Sequence, residues 1–328
     1  MTSKSKSAAG NSLSAQLKAA VLNEFSWIWG GTIVLFVVCA FVTPGVVEPS
    51  AISSMLPFAA VLGITAVGMT IVIQQRGLDM SLPGIMTISG LAFAQIGFST
   101  GSSLLAVPLT LIFAMAIGIV NGLLVAKVNI TPIVTTLATN AILMGGVRAI
   151  SGGSPMTAPA ELAQFSHSKL FGVPMTLILA LLFIIVVSLV TKRTIAGRRF
   201  VAVGANPAAA TAAGIPILRY QVATYAIAAI CFAVAGMLFT GFIGSASQTA
   251  GVDYLLPAIA AVVVGGTPFT GGRGSVIASG VAALFMTLLG QMVLALGADT
   301  SVQLLVQSAV IIVAVAIRQL PAILRHFR

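Results

Sequence analysis

Gly77-Leu78-Asp79-Met80-Ser81-Leu82-Pro83-Gly84-Ile85 follows one long apolar run, and Gly251-Val252-Asp253-Tyr254-Leu255-Leu256-Pro257-Ala258-Ile259 follows another. Gly, Asp, Leu, Pro and Ile recur at the same offsets in the two stretches. Working outward from them, apolar segments run from Ser26 to Thr43, Ser53 to Ile73, Leu82 to Phe98, Leu104 to Lys127, Ile130 to Ile150, Val173 to Val190, Arg219 to Ile243, Tyr254 to Gly266, Ser275 to Leu296 and Val302 to Ile317. A bilayer core takes about 20 apolar residues per helix, so the eighth segment is the weakest. The two copies of the motif are five segments apart, an odd number, which predicts that they face opposite sides of the membrane. The expected fold is therefore all-α and polytopic, with about ten transmembrane helices in an inverted five-helix pseudo-repeat, segments two to five matching seven to ten.

Composition leaves no soluble alternative. The chain is 58% hydrophobic and 7% charged, against about a quarter charged in a soluble domain, so the bilayer must act as its solvent. The net charge of +10 does not read as a nucleic-acid footprint, because the basic residues are scattered singly between apolar runs. With a cytoplasmic amino terminus, only Arg148 and Lys169 of the 16 Lys and Arg residues fall outside. Glu48, Glu161, Asp253 and Asp299 fall there too, an asymmetry that sets both termini in the cytoplasm. Residues 1–25 form a polar tail with Lys4, Lys6 and Lys18, and 26–328 the transmembrane domain; the length of the tail favours an uncleaved first helix over a signal peptide. Cys39 and Cys231 lie in apolar runs as buried small residues, and His167 and His326 have no second ligand at suitable spacing, so neither a metal nor a cofactor is expected.

Asp79 and Asp253 read as caps of the helices that follow, with Pro83 and Pro257 in their first turns. Every acid lies in a loop or at a segment end, which argues against proton or sodium coupling. The Gly-rich run Gly265-Gly266-Thr267-Pro268-Phe269-Thr270-Gly271-Gly272-Arg273-Gly274-Ser275 lacks the lysine of a phosphate cradle, so the chain does not hydrolyse ATP alone. No nucleophilic or paired-carboxylate constellation marks an enzyme. Uncharged polar residues do recur in the segments. Gln74, Asn121, Thr136, Thr139, Asn140 and Gln291 are candidates to line a wet pathway, beside others such as Gln303 and Gln307, and each could equally bond a neighbouring helix. Ala116, Gly118, Gly122 and Ala126, and Gly145 with Gly146, would let helices approach closely.

Residues 191–218 form the longest cytoplasmic loop. Asn206 reads as an N-cap, Pro207 as the first helical position and Gly214 as the stop of a helix of about two turns. That is either a docking element for a soluble partner or a linker between the repeat halves.

At this loop the sequence resembles the permease subunits of bacterial ABC importers for ribose, xylose, arabinose, galactosides and similar sugars. The matches are Gly77-Leu78-Asp79-Met80-Ser81, Thr136-Leu137-Ala138-Thr139, the loop from Gly197-Arg198 to Gly214-Ile215, and Ala260-Ala261-Val262-Val263-Val264-Gly265-Gly266 with its glycines onward to Gly274. The resemblance implies ATPase docking at Gly197, Arg198, Gly204, Asn206, Ala209 and Gly214. It also implies a cytoplasmic ABC ATPase subunit, a periplasmic sugar-binding protein, and a second permease copy, identical or paralogous, in the lipid of the bacterial inner membrane. The chain departs from the family in two places: Pro207-Ala208 stands where an acidic residue usually follows the Asn, and Leu82-Pro83 stands where Val usually precedes Gly84. The function expected is the pathway subunit of an ATP-driven importer for a monosaccharide or small polyol, without enzyme activity of its own. A permease of the same build for a nucleoside or sugar-like signal is the alternative within the class. A self-sufficient secondary transporter or facilitator is the alternative outside it.

Overall fold

The computed structural model describes residues 25–326, with side chains described as far as residue 316. Of the tail expected at 1–25, all but Phe25 lies outside the described residues, Lys4, Lys6 and Lys18 included.

Thirteen α-helices follow one another among the described residues: α1 (Trp27–Val42), α2 (Pro49–Gln74), α3 (Leu82–Thr100), α4 (Ser103–Ala126), α5 (Pro132–Ser151), α6 (Ala160–His167), α7 (Met175–Arg193), α8 (Ile195–Ala205), α9 (Pro207–Ala212), α10 (Ile217–Ile243), α11 (Val252–Val264), α12 (Val276–Ala295) and α13 (Thr300–His326). Prolines open α2, α5 and α9, where a missing N–H costs nothing. Left-handed glycines at Gly101, Gly152 and Gly244 end α3, α5 and α10. Seven helices, α2 to α5, α7, α10 and α12, are long and apolar enough to cross a bilayer, while α1, α11 and the 300–316 part of α13 are apolar but shorter. The all-α membrane architecture stands; the expected count of ten full spans does not follow from helix length.

The core forms where α2, α3 and α10 pack together. Their side chains are mostly buried, whereas α4, α5 and α7 turn Ile112, Ile142 and Ile185 outward. Such exposure would be a liability in water and is the expected coat of a helix in lipid. Close approach depends on missing side chains. A Cβ on Gly236 of α10 would stand 2.0 Å from the Met86 carbonyl of α3, and one on Gly118 of α4 would stand 2.4 Å from the Tyr225 carbonyl of α10, so backbone meets backbone at both crossings. Gly145 faces open space and serves no such contact.

The two motif copies are not remote from each other. They meet: the Gly251 amide donates to Thr87 Oγ1 at 3.0 Å, and Gly251 packs on Pro83. The reason is length. At 1.5 Å per residue α11 rises only about 20 Å, so it starts alongside the first turns of α3 and ends in the Gly-rich 265–274 run next to Gln74. The irregular residues 77–81 leading into α3 are buried or half-buried, as backbone away from water must be. Two short antiparallel pairs, β1 (Met156–Thr157) with β4 (Ser245–Ala246) and β2 (Lys169–Leu170) with β3 (Val173–Pro174), fasten the connections.

Candidate functional site

The 191–218 segment is more ordered than a loop. Thr194 caps α8 by accepting the Gly197 amide at 3.0 Å, which puts Gly197 and Arg198 in a helix. The short helix α9 is as expected. Asn206 Oδ1 accepts the Ala209 amide at 3.1 Å, Pro207 stands in the first turn, and Gly214 (φ +73°) ends it. Asn206, Ala209, Gly214 and Arg198 are exposed, while Gly197 and Gly204 are buried.

Gly204 lies at the centre of a tight junction. A Cβ there would stand 2.1 Å from the Gln74 carbonyl at the end of α2. That same carbonyl accepts the Gly272 amide at 2.8 Å, which holds the Gly-rich run against α8. Arg76 donates from Nε to the Gly204 carbonyl at 2.8 Å and from a terminal nitrogen to that of Ala205, and Gln75 Nε2 donates to the Phe200 carbonyl at 2.7 Å. The α8–α9 unit is thus bolted to the end of the central helix and to the end of α11. Sequence reasoning missed Gln75 and Arg76, although an arginine directly after an apolar run was a signal. Gln74 itself is buried at this junction, its Oε1 without a partner.

Four of the polar candidates converge on the start of α3. Thr136 Oγ1 accepts the Met80 amide at 2.9 Å and Asn140 Oδ1 accepts the Gly84 amide at 2.8 Å. Thr139 donates to Asn121 Oδ1 at 2.6 Å, and Asn121 Nδ2 donates to Ser81 Oγ at 3.0 Å. These side chains spend their bonds on a neighbouring helix. Asp79 is not the cap of α3: its Oδ1 accepts the Ser81 amide at 2.9 Å and the Ser81 hydroxyl, both before the helix. Asn140, reaching across from α5, satisfies an amide of the first turn instead. Asp79 is fully buried with Oδ2 unpartnered, and that burial pushes its carboxyl up to about 6. Asp253 is no cap either. It is the second residue of α11, exposed, and makes no cap bond. Its place in the first turn of α11 keeps it at a segment end, as expected of every acid.

A cavity of about 240 Å³ between α2, α10, α11, α12 and α13 is lined by Asp253, Gln291, Gln303 and Gln307 together with Phe58 and Tyr254. Gln291 also lines a cavity of about 470 Å³ at the Val42–Val46 connection. Of the candidate pathway residues, Gln291, Gln303 and Gln307 thus face open volume.

Comparison with known proteins places this geometry in context. Residues 51–315 match the family described as branched-chain amino acid transport system / permease component. The chain is 33% identical over 288 residues to a ribose import permease protein of Bacillus subtilis (strain 168), covering 87% of this chain and 89% of that protein. It is 32% identical over 266 residues to an autoinducer 2 import system permease protein of Photorhabdus laumondii, covering 79% and 80%. It is 30% identical over 290 residues to a ribose import permease protein of Escherichia coli (strain K12), covering 87% and 90%. No solved structure matches the chain.

Proposed function

Because the chain belongs to the branched-chain amino acid transport system / permease component family, we propose that it carries a monosaccharide or related small polyol across a bacterial inner membrane. The observation that carries the sugar is the likeness to ribose import permeases over nearly the whole chain. As a permease subunit of the ABC importer type it forms the path and leaves ATP hydrolysis to a separate ATPase, while a periplasmic binding protein delivers the solute. We extend this to a second permease copy that completes the path and to both termini in the cytoplasm, where α8 and α9 dock the ATPase. The exposed, capped α9 beside the Gly204 junction supports that role: a force on α8 would be passed to the ends of α2 and α11 through the Arg76 and Gly272 bonds. The relative named for autoinducer 2 import favours a second reading, a sugar-like signal as cargo.

The test is uptake of labelled pentoses, hexoses and autoinducer 2 into proteoliposomes holding the chain with its ATPase and binding protein. Uptake that needs both partners and internal ATP identifies the cargo; uptake by the chain alone refutes the importer reading. Replacing Asn206 with Leu removes a cap worth about 1 kcal/mol and is expected to weaken ATPase binding without loss of membrane insertion. Normal ATPase binding and uptake in that variant would remove α9 from the docking surface.

A further inference from the structure

The geometry points to the cavity between α2, α10, α11, α12 and α13 as the subsite that holds the polyol during passage, an assignment that rests on the sugar-import reading proposed above and adds the residues. The repeat is the starting point. In the first half, Asn121 of α4 and Thr136, Thr139 and Asn140 of α5 close on the segment that carries Asp79 through hydrogen bonds. In the second half, Asp253 starts the corresponding helix, and Gln291 of α12 with Gln303 and Gln307 of α13 stand around it. Among the described residues none of these four side chains makes a hydrogen bond. A cluster that is spent in one half is available in the other.

The chemistry of the cluster selects its occupant. A carboxylate exposed at this depth is expensive against lipid, and Asp253 lies beside the early turns of α3 through the Gly251–Thr87 bond, so the face it occupies meets water and cargo. Three amides supply both donors and acceptors and Asp253 only acceptors, the mixture that a ring of hydroxyl groups, each donor and acceptor, can satisfy. Phe58 and Tyr254 supply flat apolar faces for the C–H side of a sugar ring. With a water taking about 30 Å³ of liquid volume, a cavity of about 240 Å³ has room for one monosaccharide. Neutral amides suit a step that must release its cargo, since conduction requires a site weak enough to leave. Gln291, shared with the cavity at the Val42–Val46 connection, marks the side from which cargo enters.

The assembled importer in proteoliposomes tests this, with tritiated D-ribose as the first probe and the other pentoses and hexoses after it. Gln303→Leu and Asp253→Asn are each expected to lower uptake about tenfold, the scale of one or two lost hydrogen bonds, while ATP hydrolysis stimulated by the binding protein stays within twofold. A second measurement uses Gln303→Cys and a charged, membrane-impermeant thiosulfonate. Cys39 and Cys231 are buried and give little background, so the variant should react, and the transported sugar should slow the reaction. Wild-type uptake unchanged in both polar variants, or a reaction that the sugar does not slow, overturns the subsite. If wild-type protein carries no sugar of the panel, the cargo reading fails separately. Reaction of Gln303→Cys then still upholds an aqueous cargo cavity, and absence of reaction overturns it.

Discussion

Gly204→Ala is the sharpest test of how α8 is joined to the helices that cross the membrane. The added Cβ would lie 2.1 Å from the Gln74 carbonyl, and the obstacle is backbone on both sides, so no side-chain rotation relieves it. Restoring ordinary contact requires the two elements to part by roughly 1 Å. That lengthens the Arg76–Gly204 bond from 2.8 Å beyond hydrogen-bond range and pulls on the Gly272–Gln74 bond, also 2.8 Å. Two weakened bonds cost about 1 kcal/mol each, and overpacking adds about 1–3 kcal/mol, for a total of about 3–5 kcal/mol. Reversible unfolding in detergent, titrated with sodium dodecyl sulfate, reads this directly, and the coupling of ATP hydrolysis to uptake should fall with it. Gly145→Ala is the matched control. Its Cβ meets nothing within 4 Å, and alanine favours a helix by about 0.5–1 kcal/mol over glycine, so that variant should be as stable as wild type or slightly more so. A Gly204→Ala protein that unfolds within 1 kcal/mol of wild type would refute the junction.

Two further outcomes follow from the start of α3. Asn140→Leu leaves the Gly84 amide without its 2.8 Å acceptor; an unsatisfied buried donor costs about 1–3 kcal/mol, and amide exchange at Gly84 should accelerate while that in the middle of α10 does not. Asp79→Asn keeps an oxygen for Ser81 and removes the buried charge. Because the folded carboxyl is raised from 3.8 to about 6, its burial costs nothing below the ordinary value, a growing amount as pH rises between the two, and about 3 kcal/mol above the upper one. The variant's advantage should therefore appear only as pH rises through that window; a wild-type protein that gains on Asp79→Asn with rising pH would show that a partner stabilises the charged form.

What the amino-acid order determined by itself is local or periodic. Apolar runs and the count of charges set the class and the solvent, since no fold could bury so much apolar surface in water. Asn206, Pro207 and Gly214 specify α9 because cap, first turn and stop are properties of adjacent backbone groups. The motif shared by 77–85 and 251–259 is likewise legible in the residue order. Tertiary structure decided where those pieces meet. That Asn140 serves Gly84 from 56 residues away, that Arg76 reaches Gly204 across 128, and that Gly251 rests on Thr87 across 164 are consequences of packing with no trace in residue spacing. The same cause moved the two aspartates from caps to a buried turn and an open cavity. A helix of 13 residues rises only about 20 Å, so α11 starts alongside α3, and the chemistry of Asp253 is set by the helices around it.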